Sequence, residues 1–317
     1  MEEYKVGKIV FGVDIGGTTV KLGMFDEQGT VLDKWEIPTR TEEQGSFILG
    51  DVAKSVEAKI SGGGYAKEDV LGIGVGAPGP VDGAGNIGGA VNLGWGNLNI
   101  VDALEPLAGV PVKAGNDANV AALGEMWKGG GKGCRDMVAV TLGTGVGGGI
   151  IVNGMLVSGF NGSGGEIGHM LVEEEETGSC NCGLKGCLEQ YASATGVVRL
   201  AKRRLEKDQA PSSLRELEEL TCKDVWDAVK AGDAVAIEVA EHFGYYLGKG
   251  LAAVACVTNP EAFVIGGGVS KAGEILFDYI VPTYQRLVFP GSRNARFLLA
   301  KLGNDAGIYG AAKLVLQ

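Results

Sequence analysis

One histidine and three cysteines are concentrated in a short part of the chain. They are His169, Cys180, Cys182 and Cys187. Imidazole nitrogen and thiolate sulfur are ligands that zinc prefers, and four of them complete a tetrahedral site with no open position for water. The sequence therefore predicts a structural zinc centre, which would also hold the flanking carboxylates of Glu166 and Glu189 near one another.

Simpler roles apply to parts of this segment and to the other cysteines. A zinc-bound loop can serve only to hold a turn in place, although carboxylates at both ends of the ligand set favour a binding role. The acidic run 173–176 is predicted to be a solvated turn. The scattered Cys134, Cys222 and Cys256 are predicted to be structural core residues rather than partners in disulfides.

Two stretches of glycine and threonine follow short apolar runs. The first is Asp14-Ile15-Gly16-Gly17-Thr18-Thr19 and the second is Gly143-Thr144-Gly145. Each precedes another strand-like run, which predicts a hairpin whose turn presents backbone N–H groups and hydroxyls to an anion. Two such turns facing one another would hold a polyphosphate, although either one alone could be an ordinary hairpin turn.

The second turn also satisfies the dinucleotide-binding spacing G-x-G-x-x-G through Gly143, Gly145 and Gly148. That motif requires a helix directly after the glycines, so that the helix N-terminus faces the pyrophosphate. Here the chain continues as GGGIIVNGMLV, which predicts a strand. The sequence therefore excludes a Rossmann site, and the absence of G-x-x-x-x-G-K-[ST] excludes a Walker-type loop.

Asn116 and Asp117 stand between a short strand-like run, VPVKA, and a helical run, DANVAALGEMW. An aspartate at this place is commonly an N-cap that accepts backbone N–H bonds. Open α/β sheets also place their ligands at the carboxyl ends of strands. If a substrate hydroxyl lies beside Asp117, the carboxylate can accept its proton as the oxygen attacks phosphorus.

Short apolar runs that end in glycine alternate with helical patterns, which predicts an α/β fold. The predicted strands are 8–13, 71–76, 137–142, 147–152 and 262–266. The predicted helices are 47–60, 99–108, 117–128, 194–206, 223–256 with breaks, and 270–288. With 317 residues the chain is long enough for two domains.

The composition indicates which partners the chain favours. A net charge of −11 argues against sequence-independent binding to nucleic acid or anionic lipid, because both depend on clustered Lys and Arg. No apolar run is long enough to span a bilayer, and the first residues lack the pattern of a signal peptide. These features predict a cytoplasmic protein that acts on small molecules.

Seven motifs occur together in this chain. They are Asp14-Ile15-Gly16-Gly17-Thr18-Thr19-Val20-Lys21, Gly76-Ala77-Pro78-Gly79, Asn116-Asp117, Thr141-Leu142-Gly143-Thr144-Gly145-Val146-Gly147-Gly148-Gly149, Glu166-Ile167-Gly168-His169, Cys180-Asn181-Cys182-Gly183-Leu184-Lys185-Gly186-Cys187-Leu188-Glu189 and Val264-Ile265-Gly266-Gly267-Gly268-Val269. In order and spacing they resemble the ROK family of sugar kinases and repressors, and most closely its bacterial ATP-dependent glucokinases. The resemblance extends from about residue 8 to about residue 315.

The resemblance implies the actin-like ATPase fold, in which two domains of ribonuclease H-like topology surround a central cleft. The N-terminal ATPase-like domain would comprise residues 1–116 with about 305–317. The C-terminal domain, 117–304, would carry the zinc motif and an adenosine-binding loop. ATP and sugar would bind between the domains.

The resemblance also implies a sugar site. The residues it places there are Gly76, Asn116, Asp117, Glu166, His169 and Glu189, and Asn92 in the loop NLGWGN is a further predicted sugar contact. Asp117 would be the general base at the 6-hydroxyl, and Asn116 would bind hydroxyls in the middle of the ring. Glu166, His169 and Glu189 would bind the 1- and 2-hydroxyls, with one ring nitrogen of His169 on zinc and the other towards the sugar. Trp95, in a nearby loop, could stack on the sugar or pack in the domain.

For ATP and Mg²⁺ the resemblance implies a second set of residues. They are Asp14, Gly16, Gly17, Thr18, Thr19, Lys21, Thr144, Gly145, Gly266, Gly267 and Gly268. Asp14 would lie near the magnesium, the two glycine–threonine turns would contact the phosphates, and the three later glycines would pass beside the adenosine.

The activity that the resemblance implies is transfer of the γ-phosphoryl group of ATP to the 6-hydroxyl of a hexose, with glucose as the first candidate. N-acetylmannosamine, allose, fructose and mannose remain alternatives, because one sequence does not show the shape of the pocket. A sugar-responsive ROK regulator and an iron–sulfur ATPase activator of similar fold are alternatives of other classes. The histidine and the two glutamates favour zinc and sugar over an iron–sulfur cluster. The resemblance also implies a homo-oligomer, a dimer or a tetramer.

Overall fold

The computed structural model describes residues 7–317. Its strands are β1 Ile9–Ile15, β2 Thr19–Asp26, β3 Val31–Pro38, β4 Val70–Ala77, β5 Asn86–Ile87, β6 Leu98–Asn99, β7 Val112–Asn116, β8 Met137–Leu142, β9 Val146–Val152, β10 Met155–Leu156, β11 Ala262–Gly266 and β12 Arg296–Leu299. Its α-helices are α1 Glu42–Gly45, α2 Ile48–Gly62, α3 Ile100–Ala108, α4 Asp117–Lys128, α5 Glu189–Ala192, α6 Ala194–Lys207, α7 Cys222–Lys230, α8 Ala234–Thr258, α9 Ile275–Leu287 and α10 Ala306–Val315. None of the described helices is both long enough and apolar enough to span a membrane.

The two large sheets have the same strand order. The first is β3-β2-β1-β4-β7 and the second is β10-β9-β8-β11-β12. In the first sheet β1 pairs antiparallel with β2 and parallel with β4, and β4 pairs parallel with β7. In the second sheet β11 is parallel to both β8 and β12, and β10 is antiparallel to β9. This repeated order is the ribonuclease H-like topology, so the predicted α/β fold is confirmed.

The central strands are apolar because they are covered on both faces. Every residue of β11 is buried, and so is nearly every residue of β1. Parallel strands of α/β proteins typically show such continuous apolar runs. By contrast, β3 alternates half-buried and exposed residues, as expected for an edge strand with one solvated face. Strand β3 was not predicted from the sequence.

Helix α10 lies in backbone contact with the first sheet and with α4. A Cβ atom at Gly12 of β1 would overlap the carbonyl oxygen of Ile308, and one at Gly74 of β4 would overlap that of Ala311. Likewise, a Cβ atom at Gly310 would overlap a carbonyl oxygen of α4. Glycine is therefore required on both sides of this contact, and the short, alanine-rich α10 was not predicted from the sequence.

The chain divides into two compact units, each with its own sheet-based core. The first comprises residues 7–133, 149–165 and 302–317 among those described, and the second comprises 134–148 and 166–301. The expected division placed residues 117–133 and 149–165 in the C-terminal domain. In the structure α4 belongs to the first unit because it packs against α10.

The predicted helices agree with the structure except near glycines. The stretch 223–256, predicted to be helical with breaks, is α7 and α8 with one break between them, where Gly232 adopts a positive φ and Asp233 caps α8. Helix α9 begins five residues later than predicted, after a turn that ends at Gly273 with φ 92°. Glycine adopts this left-handed conformation without the steric cost that other residues carry.

The three scattered cysteines form no disulfides, as predicted. Cys134 is buried and Cys222 is half-buried, which agrees with a structural role. Cys256 is exposed at the end of α8, so the prediction that it lies in the core is wrong. Its neighbour Val257 is exposed as well, so the described residues leave this end of α8 open to solvent.

Candidate active site and metal centre

The carboxyl ends of β1, β4 and β7 bring four predicted site residues side by side in the first unit. Asp14 is in register with Gly76 across the β1–β4 pair. Asn116 is in register with Ala77 across the β4–β7 pair. Asp117 follows directly as the first residue of α4. The edge that commonly binds ligands in α/β sheets therefore carries Asp14, Gly76, Asn116 and Asp117.

Asn116, not Asp117, is the N-cap of α4. The Asn116 side chain accepts the backbone N–H of Asn119 at 3.1 Å and donates to the carbonyl oxygen of Gly79 at 3.1 Å. This leaves the carboxylate of Asp117 free of the capping role, and its Oδ1 accepts from the Ala118 N–H at 2.7 Å and from the Asn116 side chain at 2.9 Å. Burial raises the pKa of Asp117 above its ordinary value, which makes its carboxylate a better proton acceptor.

Asp14 is a second half-buried carboxyl group at this edge. Burial, together with the negative charge of Asp117, raises its pKa to about 6, and Lys21 opposes the shift. A Cβ atom at Gly307 of α10 would lie only 2.5 Å from the Asp14 carboxyl carbon. A half-buried carboxylate whose neighbouring negative charge outweighs that of its nearby lysine is typical of a group that binds a cation or a proton.

The turn between β1 and β2 has its backbone fixed by neighbouring groups. The Gly16 N–H donates to the Thr19 carbonyl oxygen at 3.1 Å. Thr39 donates through its hydroxyl to the Gly16 carbonyl oxygen at 2.7 Å and through its N–H to that of Thr18 at 2.9 Å. Gly17 lies beside Asn92, so this predicted sugar residue is next to the first turn.

The second turn, between β8 and β9, is held by the first residues of α6. The Ala194 N–H donates to the Gly143 carbonyl oxygen at 2.8 Å, and the Thr195 hydroxyl donates to that of Thr144 at 2.7 Å. Gly145 faces the carboxylate of Glu189, because an added Cβ atom would lie 2.5 Å from Glu189 Oε2. A predicted phosphate-binding turn and a predicted sugar-binding carboxylate are thus neighbours within the second unit.

The glycines predicted to pass beside adenosine follow β11, which is parallel to β8. Gly266 ends the strand, and Gly267 has φ 84° and lies against the Leu142 backbone. Gly268 then precedes a short 3₁₀ turn, Val269–Ala272. These glycines therefore lie at the same edge of the second sheet as the Gly143–Thr144–Gly145 turn.

The four predicted metal ligands converge. The donor atoms of His169, Cys180, Cys182 and Cys187 all lie within 4.8 Å of one another. Cys182 Sγ is 3.7 Å from Cys187 Sγ, and Cys180 Sγ is 3.7 Å from His169 Nδ1. Sulfur atoms on a tetrahedral zinc ion are separated by about 3.8 Å, given Zn–S bonds of about 2.3 Å. The donor set and its spacing therefore fit tetrahedral zinc, with Nδ1 as the histidine ligand.

The second nitrogen of His169 points away from the cysteines. Its Nε2 atom is 3.9 Å from Glu166 Oε2, while Glu189 Oε1 lies 2.8 Å from Cys180 Sγ. His169 and Glu189 line a cavity of about 700 Å³ together with Thr144 and Gly145. The structure thus brings the predicted metal ligands, both predicted carboxylates and the second turn together within one unit.

The sequence model of the ROK family matches residues 10–317. The chain belongs to the ROK family. It is 46% identical to a glucokinase of Halalkalibacterium halodurans over 96% of this chain and 94% of that protein. Among solved structures, a ROK family glucokinase from Streptomyces griseus in complex with glucose and AMPPNP is 36% identical, with a TM-score of 0.71 over 96% of this chain and 98% of the other. A ROK hexokinase from Thermus thermophilus is 32% identical, with a TM-score of 0.79 over 96% of both chains.

In this ROK protein the acidic run 173–176 is not a solvated turn throughout. Glu174 and Glu175 are exposed, but the side chain of Glu176 is 1% exposed. Arg203 and Tyr191 donate hydrogen bonds to it and lower its pKa far below the usual range. No local pattern distinguishes Glu176 from its neighbours, because its basic partners lie more than twenty positions away on α6.

Trp95 packs within the first unit of this ROK protein. It is 7% exposed, and its Nε1 donates to the Gly45 carbonyl oxygen at 3.1 Å. Of the two roles that the sequence left open, the structure shows packing. Its neighbour in the same loop, Asn92, remains exposed.

Proposed function

We propose that the protein is a glucokinase that transfers the γ-phosphoryl group of ATP to the 6-hydroxyl of glucose. The observation that carries the proposal is the position of Asp117, a half-buried carboxylate of raised pKa at the carboxyl edge of the first sheet. The near full-length similarity to a glucokinase and to a glucokinase structure with glucose and AMPPNP supports the same reaction.

Asp117 would accept the proton of the 6-hydroxyl as its oxygen attacks the γ-phosphorus. Asn116 would hold neighbouring hydroxyls, because its amide is fixed by the cap of α4 and by Gly79. Glu166, His169 and Glu189 would bind the 1- and 2-hydroxyls. Backbone at Gly76 and the exposed amide of Asn92 would complete the sugar site.

ATP would be bound through backbone and hydroxyl groups of both turns and through the glycines after β11. The proposed contacts are Gly16, Gly17, Thr18, Thr19, Lys21, Thr144, Gly145, Gly266, Gly267 and Gly268. Asp14 would face the magnesium ion that accompanies ATP. Bound Mg²⁺ supplies charge neutralisation between the phosphates. The raised pKa of Asp14 fits this role, because a nearby cation removes the cost of its buried charge.

We also propose that His169, Cys180, Cys182 and Cys187 bind a structural zinc ion. Four protein ligands leave no coordination position for water, so the ion would orient side chains rather than activate a nucleophile. A metal on Nδ1 fixes the tautomer and leaves Nε2–H as a directed donor to a sugar hydroxyl.

We further propose a location, a class of partners, a domain division and an oligomeric state for the enzyme. The use of ATP supports a cytoplasmic location, and the acidic charge supports small molecules rather than nucleic acid or membranes as partners. We keep the division into an ATPase-like N-terminal domain and a C-terminal domain that carries the adenosine loop and the zinc motif. The expected homo-oligomer remains part of the proposal.

A coupled assay of ADP release over a panel of hexoses tests the reaction. Glucose is expected to give the highest kcat/KM, and zinc measured in the same sample is expected to be stoichiometric. Preference for N-acetylmannosamine, allose, fructose or mannose would reassign the substrate within the kinase class. Sugar binding without turnover of any hexose would contradict the kinase and favour a ROK regulator.

Replacement of Asp117 by Ala tests the base. We expect kcat to fall by about 10²–10⁴ with little change in ATP affinity, the usual size of a lost general base. Asp102→Ala is a matched control, because Asp102 also lies in the first turn of a helix capped by asparagine but is exposed. Near-normal turnover by Asp117→Ala would remove this residue from the mechanism.

A further inference from the structure

The acidic run 173–176 contains one buried carboxylate, Glu176, beside the exposed side chains of Glu174 and Glu175. A buried charge is stable only when several donors replace the water it has lost. Glu176 has such a set. Its oxygens accept from Tyr191 Oη at 2.5 Å, Arg199 Nη2 at 2.9 Å, Arg203 Nη1 at 3.0 Å, Arg203 Nη2 at 2.9 Å and the Gly178 N–H at 2.8 Å.

These donors connect Glu176 to both residues that follow Glu189. Tyr191 bonds to Glu176 directly, and its ring stacks on Tyr246 with centroids 3.9 Å apart. Gln190 is connected through Gly178, whose N–H donates to Glu176 and whose carbonyl oxygen accepts from Gln190 Nε2 at 2.9 Å. Glu176 therefore holds the start of α5 by two independent routes.

The conformation of Glu189 depends on this support because α5 is short. The helix has four residues, and a single turn has too few internal hydrogen bonds to be stable alone. Glu189 is its first residue, and its carboxylate lies between Cys180 Sγ and the backbone of Gly145. A shift of α5 would therefore move this carboxylate within the cavity that it shares with His169 and Thr144.

We infer that Glu176 is a positioning residue for sugar binding. It fixes the loop 173–179 and α5 against α6, and thereby sets the direction of the Glu189 carboxylate. The inference rests on the proposed function, in which Glu189 binds a sugar hydroxyl. It assigns no contact between Glu176 and either substrate.

The test compares Glu176→Gln with Glu175→Gln, which is the same chemical change one position away on an exposed side chain. At matched zinc content, Glu176→Gln is expected to raise KM and Kd for glucose about ten- to a hundredfold, as for other residues that orient a ligand-binding group. KM for ATP should change less than about twofold, and Glu175→Gln should resemble the wild type. Glucose Kd is measured by calorimetry so that affinity is read independently of turnover.

Tyr191→Phe provides a milder change if Glu176→Gln fails to fold. It keeps the ring stacked on Tyr246 and removes only the hydroxyl that donates to Glu176. We expect a smaller rise in glucose Kd, about two- to fivefold for one lost hydrogen bond, again with unchanged affinity for ATP.

Equal glucose Kd values for Glu176→Gln and Glu175→Gln would overturn the inference, as would parallel losses of glucose and ATP affinity. If Glu176→Gln does not fold, an unchanged glucose Kd in Tyr191→Phe would overturn it. A wild-type protein that binds glucose without phosphorylating it would refute the proposed kinase, and the Kd comparison would still decide the role of Glu176. A wild-type protein that binds no sugar would refute both.

Discussion

At the residue scale, the first unit places two carboxyl groups in an environment that disfavours their charge. Asp14 and Asp117 lie at one sheet edge, and burial raises the pKa of both. The two side chains also differ in their surroundings. Asp117 accepts hydrogen bonds from Ala118 and Asn116, which stabilise its negative charge. The negative charge of Asp117 adds to the effect of burial at Asp14 and makes ionisation of Asp14 less favourable. This difference is consistent with a base at Asp117 and a cation site at Asp14.

Asp14→Asn is expected to stabilise the protein while reducing its activity. The pKa of Asp14 is about 6 in the folded state against an ordinary value of 3.8. The folded state therefore binds the proton more strongly, so the free energy of unfolding falls as pH rises from about 4 to about 6 and stays lower above that range. The resulting loss in the free energy of unfolding is at most about 3 kcal/mol. In thermal melts without Mg²⁺ at pH 7.5, the variant should have a Tm higher by about 3–6 °C.

Two comparisons make this prediction specific. The gain in Tm should shrink at pH 4.5, where Asp14 of the wild type is protonated in the folded protein. Asp26→Asn should instead lower Tm slightly, because hydrogen bonds from Thr30 outweigh burial and lower the pKa of Asp26. A variant Asp14→Asn that is less stable than the wild type at pH 7.5 would show that the charge of Asp14 is compensated in the folded state.

At the element scale, α10 connects the sheet of the first unit to α4 and places Gly307 against Asp14. The approach depends on glycine in each partner, since side chains at Gly12, Gly74 or Gly310 would overlap backbone oxygens. Close packing of this kind leaves no space for an added methyl group. The helix therefore acts as a rigid support behind the carboxylate that we assign to magnesium.

Gly310→Ala is expected to destabilise the protein by about 1–3 kcal/mol or more, because the added methyl group forces α10 away from α4. Gly50→Ala in α2 is the matched control. Among residues 7–317, no atom lies within 4 Å of a Cβ added there, so alanine should stabilise the helix by about 0.5–1 kcal/mol. Urea unfolding of both variants measures the difference, and equal effects of the two changes would contradict the packing argument.

At the scale of the whole molecule, two sheets of the same strand order carry different chemistry. The first unit carries Asp14, Asn116 and Asp117, whereas the second carries the metal ligands and the second turn. Each unit has its own buried strands, β1 in the first and β11 in the second. Substitutions in one set of residues should therefore perturb mainly the structure of the unit that contains them.

Removal of the proposed zinc ion is expected to loosen the second unit selectively. Chelation would remove the ion that His169, Cys182 and Cys187 are proposed to share as ligands. Because metal binding to such a site contributes to folding, the loop around these residues should become less stable. Hydrogen exchange measured by mass spectrometry should increase in residues 166–192 and change little in β1 and β4. Glucose affinity should fall with zinc content and recover when zinc is restored. Uniform exchange across both units after chelation would contradict this expectation.

The sequence by itself determined the features that depend on local pattern. The apolar runs that end in glycine predicted the central strands, because strands covered on both faces need continuous apolar residues. The close spacing of His169, Cys180, Cys182 and Cys187 predicted their convergence, since residues so near in sequence can reach one ion. Asn116 and Asp117 were found from the junction of a strand and a helix.

Only the tertiary structure decided the features that depend on residues far apart in the chain. Glu176 is chemically identical to its neighbours, and its burial follows from Arg199, Arg203 and Tyr191 on separate helices. Helix α10 is short and rich in alanine and glycine, and its place follows from the glycines of strands about three hundred and about two hundred and forty positions earlier. Side-chain burial and backbone approach are set by the partners that folding brings together, and local sequence carries no record of those partners.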